Sequence, residues 1–176
     1  MKQSFKLGKV ISGTIICILL IFFDQITKYF AILKLKGKEA FPIWKNVFEL
    51  QYLENRGAAF GILQGKKIVL VLFTVIALLV LAFIFYHLPA GKRYWWTHVI
   101  CVLFISGAIG NFIDRVYHNY VVDFFYFKPI NFPIFNVADI YVVVAFAMMI
   151  ISIFYYKDED FEKIFPFRKK KEQIDE

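Results

Sequence analysis

Two aspartates invite a chemical reading: Asp123 in VVDFF and Asp139 in FNVAD. Both have apolar flanks, and two carboxylates brought together in a poorly hydrated place cannot both ionise cheaply. One keeps its proton while the other loses it, so the pair becomes acid and base in one unit. Acting through a water, such a pair could hydrolyse an amide with neither metal nor covalent intermediate. Buried aspartates also line ion paths and make structural hydrogen bonds, and the residues alone leave those readings open.

Other polar groups sit in equally apolar company. Asp24 and Lys28 are four residues apart, on one face of a helix, where they can pair. That pair serves either as a structural lock or directly near a substrate. In SGAIGNFIDR (106–115), Ser106, Gly107, Ala108 and Gly110 make a smooth strip that another backbone can approach closely. Asn111, Asp114 and Arg115 then present an amide, a carboxylate and a guanidinium on one face, read either as a helix end knitted by an Asp114–Arg115 salt bridge, the favoured reading, or as groups of a reactive site. Asn136 precedes Asp139 by three residues. Asn55-Arg56-Gly57-Ala58-Ala59-Phe60-Gly61 puts small residues beside an amide, which suits either backbone lying against a ligand or a re-entrant turn.

The elements that must position these groups belong in a membrane. Of 176 residues, 60% are hydrophobic, 22 are phenylalanine and only 20% are charged, more hydrocarbon than a soluble core of this size can hide. The net charge of +7 resides in lysines at the chain ends and in connections, as membrane-flanking charge does, and no nucleic-acid-binding motif accompanies it. Nucleic acid is excluded as a partner. Cys17 and Cys101 lie inside apolar runs and read as small core residues, giving no disulfide framework or metal site. Lys2, Lys6 and Lys9 precede an apolar stretch as in a signal peptide, yet no small-residue cleavage site closes it. The expectation is a retained helix.

Four spans are expected, at about 10–33, 68–88, 94–113 and 139–156. Each is roughly twice the length that a barrel strand needs, so the fold class is an all-α membrane protein with four transmembrane helices. PAGKR (89–93) is a tight turn, making spans two and three an antiparallel hairpin. Residues 34–67 are polar enough to lie outside the core, and alternation in VFELQYLENR predicts a strand or hairpin in a small extracytoplasmic β-containing loop region. Residues 115–138 form an aromatic-rich connection interrupted by Pro129 and Pro133. Residues 1–156 are read as one membrane-embedded domain and 157–176 as a charged cytoplasmic tail, solvated and partly disordered.

Orientation follows from the basic residues. The N-terminus, the 89–93 turn and the tail carry 11 Lys and Arg against 9 in the two long connections, and the RKKK run at 168–171 sharpens the difference. Both termini are therefore placed in the cytoplasm. Span three then ends and span four begins at the outer face, which puts Asp123 and Asp139 at one depth. A small proton- or ion-coupled transporter would want its charges near the bilayer midplane. Here Asp24, Asn111, Asp114, Asp123 and Asp139 gather at or beyond one face, which fits an enzyme of the outer leaflet better.

DQITK (24–28), NRGAAFG (55–61), GAIGNFIDR (107–115), VVDF (121–124) and FNVAD (135–139), in this order across four spans, resemble the lipoprotein signal peptidases, the type II signal peptidases of bacteria. The resemblance runs from about residue 15 to 155. It implies an aspartyl intramembrane endopeptidase of the cytoplasmic membrane, without a cofactor. Such an enzyme removes the signal peptide of a diacylglyceryl-modified prolipoprotein on the amino side of the lipidated cysteine. Position by position, the family's catalytic aspartates match Asp123 and Asp139. Asn111, Asp114, Arg115 and Asn136 match its supporting residues, as do Asp24 and Lys28, while Asn55 and Gly57 match a motif that lies along the substrate. The match demotes Asp114, which on residues alone equals Asp123 as a catalytic candidate. Ser106, where the family commonly has glycine, and Ile140, where it has a small hydroxyl residue, are departures that touch helix packing. The implied partners are lipid-modified prolipoproteins, membrane lipid and globomycin-like cyclic peptide inhibitors, with the enzyme expected as a monomer. Which aspartate acts as base stays open.

Overall fold

The computed structural model describes residues 2–57, 62–89 and 91–164, with side chains from residue 7 onward. Helix α1 (Lys2–Leu35) is followed by strands β1 (Phe41–Trp44) and β2 (Phe48–Asn55) and helix α2 (Lys67–His87). A 3-10 turn at Lys92–Tyr94 leads into helix α3 (Trp95–His118), then strand β3 (Val121–Phe127), helix α4 (Val137–Tyr155) and the short helix α5 (Asp158–Ile164). Among the described residues, four helices are long and apolar enough to cross a membrane: Leu7–Leu35, Lys67–His87, Lys92–His118 and Val137–Tyr155. The molecule is an all-α membrane protein with a small β region.

Helices α1 and α3 outrun the apolar runs that announce them, while α2 and α4 keep close to theirs. α3 continues to His118, beyond the expected end at 113, because Asn111 and Asp114 find partners inside the protein and need no water. It stops at Asn119, whose φ of 67° is the left-handed conformation that ends helices and that asparagine tolerates. The smooth strip behaves as expected. A Cβ on Gly107 would stand 2.6 Å from the Ala138 carbonyl oxygen, and one on Gly110 would stand 2.5 Å from Asp24 Oδ2. Only glycine lets α4 and the Asp24 carboxylate come this close to α3. Ser106 is fully buried there, its hydroxyl donating to the Val102 carbonyl at 2.7 Å.

Of the strand or hairpin expected in VFELQYLENR, the structure has one strand, β2, which pairs with β1 just upstream of that segment through a turn in which Asn46 takes a φ of 62°. The connection 115–138 holds a strand that its pattern does not announce. β3 pairs antiparallel with β2, with Leu53 opposite Asp123 and Asn55 opposite Val121, completing the order β1-β2-β3. The sheet caps one end of the bundle, where Ala31, Val122, Phe124 and Val137 form a core with Leu50 and Tyr52 packed against it.

At the opposite end, the α2–α3 turn meets the chain after α4. Leu88, Tyr94, Cys101, Tyr156 and Ile164 form a second core, and Lys9 Nζ donates to the Leu88 carbonyl at 2.7 Å. The expectation of a solvated tail from 157 is corrected here for residues up to 164. α5 docks because Asp160 accepts from Arg93 Nε (2.8 Å) and Tyr94 Oη (3.1 Å), and Ile164 is buried. The basic run at 168–171 lies outside the described residues. Cys17 and Cys101 are both free thiols, Cys101 buried and Cys17 half-buried.

Candidate active site

At the sheet end, five elements deliver polar side chains to one place. α1 brings Asp24, Gln25 and Lys28; the end of β2 brings Asn55; α3 brings Asn111, Asp114 and Arg115; β3 brings Asp123; and the start of α4 brings Asn136 and Asp139. Asp24, Lys28, Asp114, Asp123 and Asn136 are all buried, while Asp139 is half-buried.

The local reason for Asn136 and Asp139 is helix capping. Asn136 is the N-cap of α4, its Oδ1 accepting the Asp139 N–H (3.0 Å) while Asp139 Oδ2 accepts the Asn136 N–H (3.1 Å). This reciprocal box satisfies two of the donors that every helix start leaves open. Asp24 adds a third contact, its Oδ1 accepting the Ala138 N–H at 2.9 Å. α4 therefore begins at a height and angle set by side chains from α1 and from its own cap.

Two amides connect the aspartates. Asn136 Nδ2 donates to Asp123 Oδ1 (2.6 Å) and to Asn111 Oδ1 (3.1 Å), and Asn111 Nδ2 donates to Asp139 Oδ1 (2.8 Å). Asn55 Nδ2 supplies the second bond to Asp123, at Oδ2 (2.9 Å). Lys28 then fixes the polarity of the relay. Its Nζ donates to Asn111 Oδ1 (3.0 Å) and pairs with Asp24 Oδ2 (2.9 Å) and Asp114 Oδ2 (3.1 Å), using all three of its hydrogens. With that carbonyl held by a cation, the Asn111 amide nitrogen must face Asp139.

Asp114 and Arg115 part company, and the expected salt bridge between them is corrected. Neighbours on a helix point about 100° apart, so they do not share a face. Asp114 turns inward to Lys28, to Gln25 Nε2 (3.0 Å) and to the Val122 N–H (3.0 Å), tying α3 to α1 and β3. Arg115 turns toward the end of β2, where Nη2 donates to the Gly57 carbonyl at 3.2 Å. Gly57 N–H in turn donates to Asn55 Oδ1 (2.9 Å). Ala58, Ala59, Phe60 and Gly61 of the same motif lie outside the described residues. Gln25 was not singled out by spacing, yet its amide reaches Asp24, Asp114 and the Gly110 carbonyl, all within 3.2 Å. Its only signal was its place beside Asp24.

A cleft of about 460 Å³ opens beside this network. Asn55, Asn111, Arg115, Asp123 and Asp139 form its polar wall, and Phe135, Ile140 and Val143 belong to its apolar one. Burial, and after it the negative charge of Asp139, push the Asp123 carboxyl up to about 7, against the donors from Asn55 and Asn136. Among the described residues no group of three or more His, Cys, Asp or Glu is arranged to hold a metal ion. Chemically, the cleft offers two carboxyl groups, a guanidinium and oriented amides beside an apolar wall.

The sequence profile of the family described as signal peptidase (SPase) II matches residues 16–155. The chain belongs to the signal peptidase II family. It is 41% identical over 145 residues to the lipoprotein signal peptidase of Clostridioides difficile (strain 630), covering 82% of this chain and 96% of that one. With the lipoprotein signal peptidase of Clostridium acetobutylicum the identity is 45% over 145 residues, covering 80% and 92% of the two chains. The fold is similar to a solved bacterial membrane enzyme, with a TM-score of 0.73 at 31% identity, covering 92% of this chain and 93% of the other. As a signal peptidase II, the protein is a membrane aspartyl peptidase.

Proposed function

We propose that Asp123 and Asp139 are the catalytic pair of a peptidase that removes signal peptides from diacylglyceryl-modified prolipoproteins on the amino side of the lipidated cysteine. The observation that carries this reading is that both carboxyls line one cleft, linked through Asn136 and Asn111, in a lining that is otherwise largely apolar. Asp123 holds the proton at the start, being the buried member whose carboxyl is pushed up to about 7. Asp139 accepts N–H donors at the positive end of α4 and takes the proton of the attacking water. Asp123 then protonates the leaving amine. Lys28, Asp24, Asp114, Asn111 and Asn136 position the pair. Arg115, Asn55 and Gly57 hold the end of β2 beside it, where the substrate backbone passes.

The apolar wall faces the bilayer and suits the acyl chains of a diacylglyceryl group. Lipid thereby fixes the height of the scissile bond against that of the pair, turning an encounter into a positioned reaction. The basic residues of the α2–α3 turn and of the chain ends support cytoplasmic termini, which puts the cleft at the extracytoplasmic face of the cytoplasmic membrane. Residues 1–156 act as one peptidase domain, the enzyme works as a monomer, and globomycin-like cyclic peptides compete for the cleft.

The test is cleavage of a prolipoprotein in bilayers, with and without its diacylglyceryl group, read by mass spectrometry. The expected product begins with the lipidated cysteine and forms only from the modified precursor. Equal cleavage of both precursors, or of neither, overturns the assignment.

A further inference from the structure

Outside the membrane helices, the sheet carries large apolar side chains that nothing among the described residues covers. In β1, Phe41, Ile43 and Trp44 are 60%, 56% and 67% exposed, and Ile130, just after β3, is 68% exposed. They crowd the end of the sheet remote from the cleft. Trp44 stands opposite Phe48, and Phe48 opposite Phe127, whereas Asn55 and Asp123 sit near the other end of the same strands. From Phe48 to Asn55 is roughly 20 Å at the usual strand rise. β1 is also an edge strand, and an exposed apolar edge in water is a template for aggregation.

We propose that this tip is a membrane anchor: Phe41, Ile43 and Trp44 seat in the headgroup–acyl boundary of the leaflet at that end of the bundle. Two further observations select lipid as the occupant. α1 leaves the membrane at Leu35 and turns at once, Lys38 N–H donating to the Leu35 carbonyl at 3.1 Å, so β1 starts close to the surface α1 has just crossed. Cations flank β1 on both sides, with Lys38 before it and Lys45 directly after it, both exposed. A tryptophan among aliphatic and aromatic side chains with flanking lysines matches the interface, where indoles settle at headgroup level and lysines meet lipid phosphates. Anchored there, β2 and β3 become struts that hold Asn55 and Asp123 at a set distance from the bilayer. This surface lies outside the cleft, and the inference stands or falls apart from the identity of the catalytic pair.

The protein has three tryptophans, so Trp95→Phe with Trp96→Phe leaves Trp44 as the sole reporter. In nanodiscs of phosphatidylcholine and phosphatidylglycerol, the expected Trp44 emission is blue-shifted. It should be quenched strongly by a nitroxide near the lipid glycerol, and weakly by one at the acyl terminus or by aqueous iodide. On the unaltered chain, a lipid carrying a photoreactive headgroup should crosslink within 41–45. Iodide quenching as in free indole, with no crosslink there while helix faces are labelled, overturns the proposal. So does shielding of Trp44 that appears only when lipidated precursor is added, which assigns the tip to substrate. Shielding that rises with protein concentration and without lipid quenching assigns it to a second copy, and overturns it equally.

Discussion

Asn136 and Asp139 hold each other: the side chain of each accepts the backbone N–H of the other, at 3.0 and 3.1 Å. The same Asn136 amide nitrogen donates to Asp123 at 2.6 Å, so one residue starts α4 and also spaces the two aspartates. These duties can be separated. Serine is as good an N-cap as asparagine but has no amide to offer Asp123. Asn136→Ser should therefore keep the thermal midpoint and lose most of the cleavage rate. Asn136→Ala should lose both, the cap alone costing about 1 kcal/mol. Paired unfolding and cleavage measurements in one detergent check this.

Lys28 serves two buried carboxylates at once. Replacing it by methionine strands both, a change that costs about 3–5 kcal/mol when a buried pair is broken from one side. Lys28→Met should lower folded yield sharply. Adding Asp114→Asn should recover part of it, since one stranded charge is removed. A double variant no better folded than the single one contradicts this account of the cluster.

Catalysis as proposed needs the Asp123 proton, and the carboxyl is pushed from the ordinary 3.8 up to about 7. kcat/KM should fall as pH rises through about 7. Asn55→Leu removes a donor that favours the charged form, so it should move this alkaline limb to higher pH as well as lowering the rate. Stability carries the same sign. Between 3.8 and about 7 the folded protein binds more protons at this site than the unfolded chain, so this site's contribution declines as pH rises across that window.

The glycine strip gives a packing prediction. Gly107→Ala would put a methyl 2.6 Å from the Ala138 carbonyl, backbone that cannot step aside without moving the start of α4. A loss of about 1–3 kcal/mol is expected from overpacking of this kind. Cleavage should fall with it, because Asp139 rides on that helix start. Gly8→Ala, with open space around its Cβ, is the control.

Much of this was legible because hydrocarbon runs and short spacings are local signals. The charge-free stretches mark the helices, and the four-residue spacing of Asp24 and Lys28 becomes a contact of 2.9 Å. β3 was hidden because VVDFFYF shows no alternation: Val121 to Phe124 are buried in succession, so both faces are covered and the period of two disappears. Its partner in β2 lies 68 residues away at the Asn55–Asp123 bond, beyond any window of sequence. Adjacency misled at Asp114 and Arg115, where helical geometry sends neighbours to different partners. The docked α5 had a signal that composition concealed: Asp158, Glu159 and Asp160 are the acidic first turn of a helix, inside what looked like a mixed-charge tail.

The central claim is that Asp123 and Asp139 together perform the cleavage, and one experiment addresses it most directly. Asp123→Asn and Asp139→Asn keep size and most hydrogen bonding while removing the titrating group. Single-turnover cleavage of diacylglyceryl-modified prolipoprotein, measured beside precursor binding, should show both variants binding the precursor and both slower by orders of magnitude. A folded, precursor-binding variant at either position that cleaves at the parent rate would contradict the account.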